Sequence, residues 1–281
     1  MQVLVIGSNG QLGQSLRSIA PNYSVNFTFS DRSLLDITNQ QNINVYFQKN
    51  KFDFCINCSA YTAVDKAENE EELAKKINVI GVSYLAEACK KYQITLVHIS
   101  TDFVFNGMAF KPYTEETKTD PISVYGQTKL DGEKEIQRIL DNHYIIRTSW
   151  LYSEFGNNFM KSMLNLSKNR DVLSVVSDQI GTPTYAVDLA KAILIIIQSN
   201  SNYGLYHYSN LGVASWYDFA KAIFEYSNIN IKINSIPSIL YPTPANRPFF
   251  SVLDKSKIQN NFKLEIPYWR ESLKKSLKNV F

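Results

Sequence analysis

The stretch V-L-V-I-G-S-N-G-Q-L-G, residues 3–13, decides how the rest of the chain is read. Val3-Leu4-Val5-Ile6 is an unbroken apolar run, the pattern of a strand buried on both faces. Gly7, Gly10 and Gly13 follow it at every third position. A strand that enters a glycine turn and then opens a helix forms an anion site lined by backbone. Small residues let the chain approach a pyrophosphate, and the helix N-terminus offers free N–H donors and a favourable dipole. The spacing G-x-x-G-x-x-G departs from the more familiar G-x-G-x-x-G, and a glycine-rich turn can simply reverse a chain. Its place in the first strand-to-helix turn favours the nucleotide reading.

Working outward, the sequence alternates between two periods. Strand patterns at Val3–Ile6, Val25–Ser30, Phe52–Asn57, Thr95–Ser100 and Tyr144–Arg147 alternate with helical patterns at Leu12–Ile19, Gln40–Lys49, Glu70–Tyr92 and Val124–Leu140. Such alternation implies parallel strands joined by right-handed crossovers, with helices on both faces. The expected fold is α/β, a doubly wound parallel sheet of Rossmann type. Beyond Trp150 the alternation loosens, and Pro237, Pro242, Pro244, Pro248 and Pro267 punctuate an irregular C-terminal third. We therefore expect a dinucleotide-binding domain over 1–150, with 182–210 returning to it. A smaller substrate-binding lobe is expected from 151–181 and 211–281.

Composition excludes several classes. A chain of 281 residues with 44% hydrophobic content can bury a sizeable core. Net charge is +3 with no block of Lys and Arg, so nucleic acid is not an expected partner. The longest apolar stretch, Ala192 to Ile197, is too short to span a bilayer. The first residues enter a strand at once, with no basic and apolar leader, so a cytoplasmic protein is expected. Cys55 and Cys58 are spaced C-x-x-C, but FDFCINC reads as a buried strand that sends them to opposite faces, and Cys89 is far off in sequence. Three cysteines in this arrangement suit reduced thiols in the cytoplasm better than zinc or redox chemistry. His98, His143 and His207 show no ligand spacing.

Two more segments carry chemistry. Ser30-Asp31-Arg32 ends the second strand, where doubly wound folds read the adenosine ribose. A carboxylate there suits the hydroxyls of NAD, and an arginine suits the 2′-phosphate of NADP. Arg32 favours NADPH and leaves NADH open. The other segment follows the fourth strand: STDFVF, residues 100–105, then Val-Tyr125-Gly-Gln-Thr-Lys129. On a helix, Lys129 sits beneath Tyr125 and favours its phenolate, making the phenol a better proton donor and acceptor. Thr101 adds a hydroxyl that can hold a substrate carbonyl. A second Y-x-x-x-K, Tyr217 to Lys221, lies in SWYDFAKAIF. There Trp216, Phe219, Ala220 and Phe224 mark the core face of an amphipathic helix, so Tyr217 is expected to be structural.

With these residues in place the chain resembles the extended short-chain dehydrogenase/reductases, and within them the dTDP-4-dehydrorhamnose reductases. The matching segments run nearly end to end: GSNGQLG, LLDITN, NCSAYTAVDKAE, STDFVFNG, PYTEE, VYGQTKLDGE, RTSWLY, GNNFMKSML, VVSDQIGTPTYAVDLA, GLYHYSN, SWYDFA and NRPFFSVLD. The resemblance implies that NADPH delivers hydride to C4 of a dTDP-4-keto sugar, the last step of dTDP-rhamnose synthesis for cell-surface polysaccharide. It makes Thr101, Tyr125 and Lys129 the catalytic triad, with Tyr125 protonating the C4 oxygen. It places Gly7, Gly10, Gln11, Leu12 and Gly13 on the pyrophosphate, Asp31 and Arg32 on the adenosine ribose, and Asp36 and Ile37 on the adenine. Ala60, Tyr61 and Thr62 would border the nicotinamide half. Val64, Asp102, Phe103, Trp150 and Asn158 carry over to the sugar nucleotide, with Gln179 and Arg247 as further candidates. Trp150 also reads as a core aromatic, and a tryptophan is large enough to do both.

One position departs from the pattern. Some relatives place a carboxylate in the helix after the glycine loop, as part of a divalent-metal site between subunits. Here that stretch is Gly13-Gln14-Ser15-Leu16. Mg²⁺ wants carboxylate oxygens that Ser15 does not supply, so no metal site is expected and monomer and homodimer both stay open. Other functions on this scaffold are a dehydratase, an epimerase and a non-catalytic regulator. A dehydratase would carry an acidic pair where Asp102 is followed by Phe103, and a regulator has no need to keep Thr101, Tyr125 and Lys129 together.

Overall fold

In the computed structural model, which describes residues 1–280, six parallel strands form the central sheet. They are β1 (Gln2–Ile6), β2 (Asn26–Ser30), β3 (Phe54–Asn57), β4 (Thr95–Thr101), β5 (His143–Thr148) and β6 (Gly204–His207), in the spatial order β6-β5-β4-β3-β1-β2. The strand order reverses at β1, which pairs with β2 on one side and β3 on the other. Ligands of doubly wound sheets bind in the crevice outside the carboxyl ends of the strands at such a switch point.

The apolar run at residues 3–6 shows why the sheet is covered twice. Val3 and Val5 enter one core with Leu12 and Leu16 of helix α1 (Gln11–Ile19) and Ile193 and Ile197 of α5 (Ala186–Ser199). Leu4 and Ile6 enter the opposite core, against α2 (Gln40–Lys49), the helical run α3 over 71–92 and α4 (Val124–Ile139). Successive side chains of one strand thus serve different layers. The run α3 holds a π-helical turn, Lys76–Ile80, between Glu71–Lys75 and Gly81–Tyr92.

Residues after β5 build a smaller body over the carboxyl end of the sheet. Its parallel pair Val172–Val176 and Lys232–Ile236 packs with helices Phe159–Leu166 and Trp216–Tyr226. Met160, Phe219 and Trp269 of this body belong to the same apolar cluster as Val3 and Leu16 of the sheet side. The body therefore has no separate core that would let it move as an independent unit. Cys55 is buried in β3 beside Cys89, and Cys58 lies just past the strand end.

Candidate active site

The glycine loop is built for backbone contact. Gly7 has φ +74°, and a Cβ there would stand 2.8 Å from Ser59 N; a Cβ on Gly13 would stand 2.6 Å from Ser8 Cα. Only glycine lets the loop lie this close to the end of β3 and lets α1 pack this close to β1. Gly10 caps α1 without a side-chain hydrogen bond, and no acidic residue occupies the first turn. The first N–H groups of α1 are thus left for an anion. A cavity of about 330 Å³ opens at this point, lined by Gly7, Gly10, Asp31, Arg32, Asp36, Ile37 and Ala60 of the expected set. It adds Asn9, Leu35, Thr38, Cys58, Ser59 and Ile77, of which only Ile77 lies outside the segments that carry the family resemblance.

The Asp31 carboxylate accepts from Ser33 N at 2.9 Å, Ser33 Oγ at 2.6 Å and Asn9 Nδ2 at 3.1 Å, and the Ser33 hydroxyl foremost holds it below the usual carboxylate range. Arg32 is 75% exposed and reaches Asp36 at 3.4 Å. Its guanidinium stands at the cavity rim without being committed to the core.

Other cofactor candidates fall elsewhere. Leu12 is buried in the core below the loop, and Gly13 is the α1–β1 packing point. Gln11 turns toward the C-terminal body, where its Oε1 accepts from Asn158 Nδ2 at 2.9 Å and Ser153 Oγ at 3.2 Å. Thr62 is exposed. Tyr61 donates its backbone N–H to Asn78 Oδ1 at 2.9 Å and its hydroxyl to Glu70 at 2.7 Å. Asn78, in the π-helical turn, also donates to Tyr61 O and to Thr128 Oγ1. A π turn so placed ties the Ala60–Thr62 loop to α4; no periodicity in the sequence announced it.

The centre of the site is the junction of β4 and α4. Ser123 caps α4 by accepting from Gly126 N at 3.1 Å, and a Cβ on Gly126 would collide with Phe103 O. The first turn of α4 therefore lies directly on the loop after β4. This brings Tyr125 beside Thr101 and against the edge of Phe103, with ring centroids 5.5 Å apart. Val64 packs on the same cluster. Burial pushes the Tyr125 phenol up to about 12, with the Thr101 hydroxyl working against it. One turn on, Lys129 is buried, donates to Ile99 O at 2.7 Å and lies 3.1 Å from His98 Nε2. Burial brings it down to about 8. Asp102 accepts from Thr101 Oγ1 at 3.1 Å, while its buried Oδ2 has no hydrogen-bond partner. Burial pushes Asp102 up to about 6. An unpaired buried carboxylate oxygen is costly, and the Ser251 and Thr101 hydroxyls only partly offset that cost.

Trp150 leaves β5 with φ +45°, a strained value for a bulky residue, and stacks on Trp216 at 3.5 Å. Gly181 makes room for it, since a Cβ there would stand 2.6 Å from Trp150 Cε2. Trp216 packs at the edge of the core, as expected of that face of its helix, and also lines a second cavity of about 930 Å³ in the C-terminal body, together with Gln179 and Arg247. Phe219, Ala220 and Phe224 are buried as expected, and Tyr217 packs against the same core. Arg247 grips Asp65, beside Val64, with two bonds of 3.0 and 2.8 Å. Asn158 caps its helix by accepting from Lys161 N at 3.1 Å and spends its amide on Gln11, Ser153 and Phe155. In this structure it closes the joint between the glycine loop and the C-terminal body.

A glycine loop at the start of α1 thus shares the carboxyl end of the sheet with a buried Thr, Tyr and Lys at the β4–α4 junction. The family model described as RmlD substrate binding domain matches residues 1–281. The chain belongs to this RmlD family. A dTDP-4-dehydrorhamnose reductase of Aggregatibacter actinomycetemcomitans is 41% identical over 286 residues, covering 97% of each chain. The crystal structure of a dTDP-4-dehydrorhamnose reductase from Clostridium acetobutylicum is 42% identical and superimposes with a TM-score of 0.96, covering 100% of this chain and 99% of that one. A Bacillus anthracis dTDP-4-dehydrorhamnose reductase in complex with NADP is 39% identical, with a TM-score of 0.95 and 99% of each chain covered.

In this RmlD-family chain Ser15 is buried and donates to Gln11 O at 2.9 Å. Asp188 is also buried, and its Oδ2 accepts from Asn210 and Ser272. Among the described residues no group of three His, Cys, Asp or Glu side chains is placed to hold a metal ion.

Proposed function

We propose that this RmlD-family protein is a dTDP-4-dehydrorhamnose reductase, which reduces the C4 keto group of dTDP-4-dehydro-L-rhamnose to give dTDP-L-rhamnose with NADPH. The observation that carries the reading is the Thr101–Tyr125–Lys129 cluster, buried at the β4–α4 junction beside the glycine-loop crevice. A buried phenol and a buried amine have no structural need of one another, and burying both costs stability that a binding scaffold would not retain. Bound NADPH is the hydride source.

The chain supplies the rest. Gly7 and Gly10 let the backbone meet the pyrophosphate, Gly13 lets α1 sit close enough to present its N–H groups, and Gln11 and Leu12 hold the loop in place from beneath. Asp31 and Arg32 read the ribose and its phosphate, Asp36 and Ile37 the adenine, and Ala60, Tyr61 and Thr62 border the nicotinamide side. Thr101 holds the C4 oxygen while Tyr125 gives its phenolic proton to that oxygen. Lys129, one turn below, stabilises the phenolate left behind. Asp102 Oδ2 is the free acceptor for a sugar hydroxyl, with Phe103 and Val64 forming the apolar wall.

The body formed by 151–181 and 211–281 takes the nucleotide end of the substrate. Trp150 stacks on Trp216 at the cavity that Gln179 and Arg247 line, and Asn158 holds that body against the glycine loop. Asp102 is followed by Phe103, so the acidic pair of a dehydratase is missing. No helix among the described residues is long and apolar enough to cross a membrane. The enzyme acts in the cytoplasm as a monomer or homodimer. Incubation with dTDP-4-dehydro-L-rhamnose and NADPH tests the reading. Oxidation of one NADPH per dTDP-L-rhamnose formed is expected, and no turnover, or a product altered at another carbon, refutes it.

A further inference from the structure

Beneath Tyr125 a chain of hydrogen bonds runs from a backbone amide to the side-chain nitrogen of Lys129, and each link sets the polarity of the next. Ser59 donates its backbone N–H to Asn57 Oδ1 at 3.0 Å. A backbone N–H can only donate, so this end of the Asn57 amide is its oxygen and the other end is its NH₂. That NH₂ stands 3.1 Å from His98 Nδ1, which must then be the bare, accepting nitrogen. A neutral imidazole carries its single proton on the opposite nitrogen. Here that nitrogen, Nε2, faces Lys129 Nζ at 3.1 Å. An ammonium at Lys129 would put two donors face to face. An amine accepts from Nε2–H with its lone pair and still donates to Ile99 O at 2.7 Å.

We propose that Asn57 and His98 hold Lys129 as an uncharged amine in the cofactor-free enzyme, which makes His98 a positioning residue for the proton chemistry at Tyr125. The inference builds on the assignment of Tyr125 and Lys129 given above, but concerns the state of Lys129 itself.

The surroundings agree. Asn57 and His98 have no exposed surface and Lys129 has 1%. A doubly protonated His98 would turn a second donor on the Asn57 amide. Burial foremost holds His98 well below the usual histidine range. On α4 itself Tyr125 lies one turn above Lys129 and Glu133 one turn below. Glu133 is the carboxylate that favours an ammonium. Arg147, from β5, claims it with bonds of 3.0 and 2.6 Å, and Ser100, from β4, donates to it as well. The remaining carboxylate in the cluster, Asp102, acts on Tyr125 and keeps its proton on. With an amine beneath it the phenol stays protonated through neutral pH, the state that a reductase needs before substrate arrives.

Lysine-specific ¹³C and ¹⁵N NMR of the whole cofactor-free enzyme, titrated with pH, tests this, with the Lys129 signal assigned by its loss in Lys129→Met. In the native enzyme Lys129 should discharge below about pH 7, lower than burial alone takes it and more than three pH units below the surface lysines, about a thousandfold difference in proton affinity. His98→Gln, which can turn its amide oxygen toward Lys129, should raise that midpoint at least tenfold in proton affinity. Asn57→Asp, which reverses the required His98 tautomer, should shift it in the same direction. A native Lys129 that is still charged at pH 7, or one whose midpoint is unmoved in both variants, overturns the proposal. The NMR signal reports on Lys129 whether or not the substrate assignment holds.

Discussion

Gly13→Ala sets two known effects against each other. Inside α1, alanine gains about 1 kcal/mol over glycine in helix propensity. The new Cβ, however, would stand 2.6 Å from Ser8 Cα, 2.7 Å from Gly7 O and 2.8 Å from Ser8 C. All three are backbone atoms, so no rotamer change relieves them, and unstrained carbon contacts begin at about 3.5 Å. The N-terminal turn of α1 must retreat by roughly 1 Å, at an overpacking cost of about 1–3 kcal/mol. The clash outweighs the propensity gain over most of that range, and the cofactor-free protein should lose up to about 2 kcal/mol in urea denaturation. The same retreat takes the first N–H groups of α1 out of range of a pyrophosphate. Losing two charge-assisted bonds at about 1.5 kcal/mol each should weaken NADPH about a hundredfold by calorimetry. Gly10→Ala is the control: its Cβ meets nothing nearer than 3.3 Å, so stability should hold within about 0.5 kcal/mol. A Gly13→Ala protein as stable as the native one, with unchanged affinity for NADPH, would refute this packing argument.

Arg32→Ala should weaken NADPH by about 1.5 kcal/mol, the low end for a charged hydrogen bond because Arg32 is 75% exposed, with little effect on NADH; equal losses for both cofactors would remove Arg32 from the 2′-phosphate. Asp102, lifted by burial to about 6, holds its proton more tightly folded than unfolded, so its charging costs stability as pH rises from about 4 to about 6. Asp102→Asn should therefore gain about 3 kcal/mol on the native protein between those limits in cofactor-free denaturation, and a difference independent of pH would contradict it. Activity and sedimentation should be unchanged after EDTA treatment; restoration of lost activity by Mg²⁺, with dimer formation, would place a metal site at the altered helix.

The parts of this molecule that depend on local pattern could be read directly. Val3–Ile6 and its glycines announce a strand, a turn and a helix, because buried parallel strands need continuous apolar runs and close approach needs glycine. Tyr125 and Lys129 are legible because four residues make one helical turn. What escaped reading depends on contacts between distant segments. The π turn at Lys76–Ile80 goes with Asn78 bonding the backbone of Tyr61 and the hydroxyl of Thr128. Gln11 meets Asn158 across most of the sheet-forming half of the chain, and nothing near either residue indicates it. Trp216 packs on the core as its amphipathic pattern indicates, but its stacking on Trp150 and its place at a cavity depend on contacts with distant segments. His98 reads as one more core residue until the fold sets it beside Lys129.

Steady-state reduction of dTDP-4-dehydro-L-rhamnose by Tyr125→Phe, assayed beside Tyr217→Phe, bears most directly on the assignment of this site. Both tyrosines stand four residues before a lysine, but Tyr125 lies buried at the β4–α4 junction with Thr101, whereas Tyr217 rests on a packed helix. Removing the Tyr125 hydroxyl should lower kcat by about 10²–10⁴-fold with NADPH affinity largely kept, while Tyr217→Phe keeps most of the activity. Equal kcat values for the two variants, or a Tyr125→Phe enzyme as fast as the native one, would contradict the assignment.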